Sequence, residues 1–594
     1  MKKLFILAMA FGLAACSTDK TEMPEVGSGD VETNYLTVNL VATPSTRAEN
    51  TGDPDNAKYE DGSPEENGVN AIRFYFFDGT GDSANSVNVK MDAQTKQQVS
   101  YLDWTTEDIK TGNGTAPNVE KIIAADLVIN TKEGDGIPSA IIAVLNPTAQ
   151  LKAAEIKKIS DLNAQTEAYA TTGAANSFVM SNSVYANGTT KMEAVDVSAN
   201  LRSSADAAKA APAIIYVERV VAKTTLEVGL TSVGTGTDKV YETASADKEY
   251  KFGDQKIYVK FLGWNVTAAA GKSYLMKDIN ANWADDLFGA QKWNWAPYFR
   301  SYWAINPSGM TYTYGPFNTT DDATAANAKE IGESTYLREN ASDDPDNQKT
   351  GANPTTPTKV IIAARLCKID GTPIEFAEYG SQQFLLESEN HETNPTLLDN
   401  YANIAGIYVK STTTGGEEKY EKITYSALTL KTATEIGKAN QNTPGRYYTY
   451  AQINATAETL ESMNLTISDA KGSEVLKGEE GLAELNDILI KLGPAKVWKE
   501  GNTYYYFDIA HLGTVTPAAE EGGEPTYGPG SLGVVRNHVY KSNITKLVGL
   551  GTPVYDPDEV IYPEHPNDEY SFLAAEIRIL SWRIVNNDVT LDWE

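Results

Sequence analysis

Cysteine is close to absent from this sequence. Only Cys16 and Cys367 occur in 594 residues, so no framework of internal disulfides holds the fold. Cys367, in the apolar run KVIIAARLCKID, reads as a small buried hydrophobe. Positive charge is also short: 50 Lys and Arg stand against 80 Asp and Glu, for a net charge of −30. Phosphate backbones require clustered cations, so nucleic acid is excluded as a partner. Histidine is scarce, and His391, His511, His538 and His565 lie far apart, outside any H-E-x-x-H or Cys/His cluster. No metal and no cofactor is therefore expected. No phosphate-binding loop, dinucleotide fingerprint or G-x-S-x-G elbow is present, and the chain reads as non-enzymatic. Gly81-Asp82-Ser83 faintly resembles a hydrolase nucleophile, but its setting, GTGDSANS, is that of a turn. No fixed repeat period runs through the sequence, and no hydrophobic run approaches the length of a membrane span.

What is present starts with an address. Lys2 and Lys3 precede an apolar run from Leu4 to Ala15, the pattern of a secretory signal peptide. Leu13-Ala14-Ala15-Cys16 has the form of a bacterial lipobox, which makes Cys16 the lipidated first residue after cleavage. Acyl chains at Cys16 would hold the exported protein on a membrane. A polar stretch, STDKTEMPEVGSGDVETN, follows as a tether. Next, Leu36, Val38 and Leu40 alternate with Thr37 and Asn39, the signature of a half-buried strand spanning Tyr35 to Ala42. Arg47 then stands in the polar segment STRAEN. It is either a plain loop cation or a site for a protease with an Arg-accepting pocket, cutting between Arg47 and Ala48.

The rest is rich in strand-formers, with 32 Tyr against 15 Phe. IRFYFFDG, AADLVIN, AIIAVLNP, IIYVERVVAKTTLEVGL, YVKFLGWNVT, TKVIIAARL and TYYYFDIAHL are short apolar or alternating runs, separated by turn residues and long polar insertions. Such a series predicts β-sandwiches. Leu151 to Ala170 is the best helix candidate, and a second helical piece is expected at Ala455 to Asn464. Asp53-Pro54-Asp55-Asn56 and Asp343-Asp344-Pro345-Asp346-Asn347 lack EF-hand spacing and read as solvated loops. Trp293, Trp295, Tyr298, Phe299, Tyr302 and Trp303 form an aromatic cluster. It suits a carbohydrate platform or, better, a core.

The other end is unusual. After a Pro-rich arm, TPVYDPDEVIYPEHPNDEY, the sequence reads EIRILSWRIVNNDVTLDWE. Ile577, Ile579, Leu580, Trp582, Ile584, Val585, Val589, Leu591 and Trp593 crowd a segment that ought to be polar, and its alternation changes phase between Ile579 and Leu580, which predicts a bulge there. A strand carried on an extended arm is what strand donation to another molecule requires.

Several pieces together resemble the Bacteroidales fimbrial stalk subunits, the Mfa-like (short-fimbria) major fimbrilin family assembled as type V pili. They are LAAC at Leu13 to Cys16, STRAEN around Arg47, IRFYFFDG at Ile72 to Gly79 and ERVVAK at Glu218 to Lys223. FLGWNVT at Phe261 to Thr267, WAPYFRSYWA at Trp295 to Ala304 and YLREN at Tyr336 to Asn340 add to them. GVVRNHVYKSNITKLVGLGTPV at Gly533 to Val554 is the most specific. The resemblance implies an all-β fold with minor helices: two transthyretin-like β-sandwich domains plus a C-terminal donor strand. It divides the chain into a signal peptide (1–15), a lipidated propeptide with a removable strand (16–47) and an N-terminal sandwich (48–232). A C-terminal sandwich with insertions (233–551), a linker (552–575) and the donor (576–594) follow. It implies lipidation at Cys16, cleavage after Arg47 by an Arg-specific protease, and expulsion of the strand bearing Tyr35, Leu36, Val38 and Leu40. The donor of a neighbour, with Ile577, Ile579, Leu580, Trp582, Ile584, Val589, Leu591 and Trp593, would then fill the groove. The partners so implied are identical subunits, anchor and tip subunits, the protease, and the outer membrane before cleavage. From another class, a surface-anchored carbohydrate-binding lipoprotein is the alternative, as is an accessory or tip subunit of the same fimbria.

Overall fold

The computed structural model describes residues 31–42, 62–63, 65–92, 94–95, 97–108, 110–111, 121–132, 134–171, 178–234, 239–243, 250–283, 293–295, 299–318, 322–346, 353–434, 447–516, 526–547, 549–558, 560–563, 573–580 and 586–588. Strands dominate. The first sheet contains β1 (Val31–Ala42), β2 (Ala71–Phe77), β3 (Tyr101–Thr105), β4 (Lys110–Thr111), β5 (Lys121–Lys132), β6 (Ala140–Leu145), β7 (Met180–Asn182), β8 (Val195–Asp196) and β9 (Ala213–Arg219). Its order is β3-β2-β6-β7-β9-β1-β5-β4, with β8 also on β6. Alternation dictates its core. Leu36, Val38 and Leu40 of β1 share one buried cluster with Phe74 and Phe76 of β2, and with Ile141 and Ala143 of β6. The opposite faces of β2 and β6, through Tyr75, Phe77, Ile142 and Val144, enter a second cluster with the rest of the chain. Strands buried on both faces read as continuous apolar runs, which is why AIIAVL shows no alternation.

Two five-stranded sheets follow. One holds β10 (Val221–Val228), β13 (Ser334–Arg338), β16 (Val539–Leu547), β18 (Leu573–Leu580) and β19 (Asn586–Asp588), in the order β13-β10-β16-β18-β19. The other holds β11 (Tyr241–Glu242), β12 (Tyr258–Thr267), β14 (Lys359–Cys367), β15 (Asn502–Asp508) and β17 (Thr552–Pro553), in the order β11-β12-β14-β15-β17. Leu226, Tyr540 and Ile544 of the first meet Val259, Trp264, Ile362 and Tyr505 of the second in one buried cluster, so the two sheets pack as layers. At Gly263, where φ is +157°, the β12–β14 register shifts, and a Cβ would lie 2.7 Å from the Lys329 carbonyl. Cys367 is buried.

Between β14 and β15 the chain builds a separate apolar cluster around α4 (Leu397–Ile404) and α5 (Gly478–Lys491). Thr396 and Asp399 form a capping box that starts α4. Leu485 and Leu489, fully buried, anchor α5, while Glu479 and Glu480 in its first turn and Lys491 in its last suit the helix dipole. Leu489→Ala is expected to cost about 2–5 kcal/mol by leaving a cavity in this cluster. Limited proteolysis should then cut within residues 368–501 first and leave the three large sheets intact.

Three sequence expectations are corrected. Residues 151–170 do not form one helix. α1 (Ala149–Ala153) and α2 (Ile159–Asn163) are separate turns, because the Asp161 carboxylate accepts hydrogen bonds from the Lys157 and Lys158 amides and restarts the helix. Lys157 and Lys158 instead bridge to Asn85 and Ser86 in extended form. Residues 455–464 hold only a short 3-10 turn, Leu460–Met463, ended by Asn464 in the left-handed region. The expected bulge at Ile579/Leu580 is absent. Those residues pair in register with Tyr540 and Val539, and the register shift lies on β16, between Ile544 and Lys546.

Candidate functional site: the slot held by the first strand

β1 is not an edge. It runs antiparallel to β5 over its whole length, from Val31 opposite Lys132 to Ala42 opposite Lys121. On its other side it runs parallel to β9, from Val38 beside Ala213 to Ala42 beside Val217. Before β9 begins, Arg202 takes over that side: Tyr35 N–H donates to the Arg202 carbonyl at 2.7 Å and Arg202 N–H donates back at 2.9 Å. Leu36, Val38 and Leu40 are at most 1% exposed. On the opposite face the Thr37 hydroxyl donates to Asp126 Oδ1 at 2.8 Å, and Asp126 Oδ2 lies 3.5 Å from Lys209 Nζ. Lys209 ends α3 (Ala205–Lys209), a short turn capped by Ser204 and buried through Ala208. Without β1, two strands would lose a neighbour each and the core would lose three side chains.

Tyr35, Leu36, Val38 and Leu40 therefore sit together on one central strand. Cys16, Arg47 and Ala48 lie outside the described residues. Of the donor positions, Ile577, Ile579 and Leu580 belong to β18, which pairs antiparallel with β16 of its own chain. β19 folds back on β18, with Asp588 opposite Glu576. Trp582, Ile584, Val589, Leu591 and Trp593 are outside the described residues. The Pro-rich stretch starts attached to the body: Thr552 and Pro553 form β17, and Ile561 N–H donates to the Gly315 carbonyl at 2.9 Å.

Three of the motifs that carried the resemblance, ERVVAK, YLREN and GVVRNHVY, converge where β9 passes into β10. Lys277 Nζ lies 3.0 Å from Glu218, both side chains fully buried. Burial lowers the Lys277 pKa. Arg536 donates to Glu339 at 2.7 Å and to the carbonyls of Leu275 and Tyr274, each at 2.7 Å. Burial opposes the Arg536 charge, yet beside Glu339 its pKa is raised. Arg219 bridges to Asn537 Oδ1 at 3.0 Å. Burial likewise opposes the charge of Glu66, but Lys223 at 2.7 Å and the Tyr336 hydroxyl at 2.6 Å hold its pKa down. These pairs join residues from 59 to 318 positions apart, so no local signal in the sequence could reveal them.

Histidines well separated in sequence also meet here. The rings of His511 and His538 are 5.3 Å apart, and burial pushes the His538 pKa well below its usual value. The His511 ring contacts the Tyr302 carbonyl and the Tyr540 hydroxyl. Among the described residues no three His, Cys, Asp or Glu side chains group as a metal site, and no helix is long and apolar enough to cross a membrane. Trp293, Tyr302 and Trp303 are buried, which favours the core reading of the aromatic cluster. Phe299 stacks on Tyr216 of β9 with ring centroids 4.1 Å apart. Gly81 to Ala84 is a turn, closed by Ala84 N–H to the Gly81 carbonyl at 2.8 Å.

Residues 496–588 match the family model described as major fimbrial subunit protein type IV, fimbrillin, C-terminal. That span takes in β15 to β19. No curated protein matches the chain in sequence. Among solved structures, a Parabacteroides distasonis protein described as a cell adhesion protein is 11% identical, over 92% of this chain and 96% of its own, with a TM-score of 0.32. A fimbrilin from Porphyromonas gingivalis is 12% identical over 93% of this chain and 98% of its own, with a TM-score of 0.32. The tip fimbrial protein Mfa3 from Porphyromonas gingivalis, solved with a C-terminal truncation, is 12% identical over 93% and 100%, with a TM-score of 0.27. The similarity to fimbrillins thus rests on the sequence match of residues 496–588, and not on these distant structural likenesses.

Proposed function

We propose that this chain is a fimbrillin, a structural, non-catalytic stalk subunit that polymerises by strand replacement. It is exported as a lipoprotein on Cys16 and held at the outer membrane. An Arg-specific protease cuts between Arg47 and Ala48. β1 is then joined to the body only by hydrogen bonds and packing, and leaves with its lipid. The C-terminal strand of an identical subunit fills the slot, and repetition builds a surface fimbrium completed by anchor and tip subunits.

One observation carries this reading: the strand that precedes Arg47 is central, paired on both sides, and supplies Leu36, Val38 and Leu40 to the core. At about 1.5–3 kcal/mol per buried side chain, its loss uncovers roughly 5–9 kcal/mol of apolar burial. It also leaves two unpaired strand edges. Such a slot is unstable empty and selective for a strand with matching alternation. Because donor and slot lie on different parts of the chain, the contact is head-to-tail, and where its rotation does not close a ring it propagates as a filament.

Purified precursor treated with trypsin is expected to form a ladder on an undenatured gel, with product chains that begin at Ala48. Arg47→Gln is expected to stay intact at that bond and monomeric. A cut protein that remains a monomer, or a ladder from the Arg47→Gln protein, would overturn the proposal.

A further inference from the structure

The slot is specific, and two stretches of this sequence can be compared against it. Residues 31–41, VETNYLTVNLV, lie in β1; residues 584–594 read IVNNDVTLDWE. Aligned without a gap, Asn587 falls on Asn34 and Thr590 on Thr37. Val589, Leu591 and Trp593 fall on Leu36, Val38 and Leu40, and Asp592 falls on Asn39. We infer that residues 584–594 enter the slot of a second copy in the direction and register of β1, with Thr590 opposite Asp126. The inference rests on the strand-replacement reading above.

Each coincidence meets a physical demand of the slot. Positions 36, 38 and 40 are closed to water, and the aligned residues are all apolar. Position 37 donates a hydroxyl hydrogen bond to Asp126, and Thr590 restores the same donor. Position 33 places a hydroxyl 3.1 Å from Asn130 Oδ1, and Asn586 brings an amide donor there. Leu591 is one methylene larger than Val38, and Trp593 outgrows Leu40 by far more, so its ring must be housed where Leu40 packs.

The competing placements keep the inward alternation and fail on the opposite face. Sliding the tail so that Leu580 takes the place of Leu36 brings Trp582 and Ile584 to positions 38 and 40 and the Ser581 hydroxyl to Asp126. That frame also puts Ile577 and Ile579 at Thr33 and Tyr35, on the outward face, where Thr33 is exposed. Running the tail backwards keeps the apolar alternation but sets Asp592 against Asp126, two carboxylates directly across a ladder. In the isolated chain β19 pairs with β18, so residues 586–588 must leave that hairpin to enter another copy.

Cysteine pairs across the proposed ladder test the register. Cut protein carrying Thr590→Cys and Asp126→Cys, once oxidised, is expected to give a covalent ladder on a denaturing, non-reducing gel. Ser581→Cys with Asp126→Cys and Asp592→Cys with Asp126→Cys are expected to give none. Cys367 is buried and does not compete. Unsubstituted polymer supplies an independent reading: zero-length carbodiimide coupling should join Lys209 of one copy to Asp588 or Asp592 of the next. A covalent ladder from either of the other two cysteine pairs, or a carbodiimide link from Lys209 to Glu576, would overturn the register while leaving strand replacement standing. If unsubstituted cut protein forms no polymer, strand replacement itself falls, and the register with it.

Discussion

Cut subunits that lack residues 573–594 are expected to remain monomeric under conditions where the full chain forms a ladder. The body of the truncated protein still has its three sheets, because β16 keeps its parallel partner β10, from Val539 beside Lys223 to Ile544 beside Val228. What it loses is β18 and β19, and with them the means to enter another copy. Its own slot remains. A truncated subunit should thus accept a donor and offer none, so it ends any chain that it joins. Mixed with full-length protein, it is expected to shorten the ladder in proportion to its share. Light scattering after size exclusion reads both effects. Filaments of normal length from the truncated protein alone would place the donor elsewhere.

Glu339→Ala is expected to be the most damaging single substitution in the body, at about 3–5 kcal/mol. Its partner Arg536 is fully buried and Glu339 is 3% exposed. Removing the carboxylate strands a guanidinium in the interior, where it cannot shed its proton. Replacing both residues, as in Glu339→Leu with Arg536→Met, should cost less than the single change, although the Leu275 and Tyr274 carbonyls then lose their donor. Asp103→Asn is the control. Its partner Arg73 is buried, but Asp103 is 44% exposed, and the loss is expected near 1 kcal/mol. Urea midpoints of the four proteins rank these effects. A Glu339→Ala protein within about 1 kcal/mol of the parent would mean that water reaches Arg536.

The strands are largely legible because their physics is local. Leu36, Val38 and Leu40 announce a half-buried strand by alternation, and AIIAVL announces one covered on both faces. The helices are less so. Residues 151–170 carry apolar side chains at 3–4 spacing, yet Asp161 divides them by capping a second turn, a competition that spacing alone does not register. α5 escapes a reading from sequence although Leu482, Leu485, Leu489 and Leu492 repeat every three to four residues, because Gly478 and Gly481 weaken its opening turn. In the site, the identity of β1 can be read, but its neighbours cannot. Parallel pairing to β9 joins residues more than a hundred positions apart, and the buried Arg536–Glu339 pair, 197 apart, reaches further still.

The segment 368–501 departs from the end of β14 and returns at the start of β15, two strands that are already adjacent, with Arg365 opposite Asn502. Its entry and exit points are thus fixed by ladder hydrogen bonds on the body rather than by its own interior. A module hung in this way can be enlarged, shortened or given a new outer face with no slip in the strands that carry it. The strands that hold the body together and the outer surface of this module are then free to change independently.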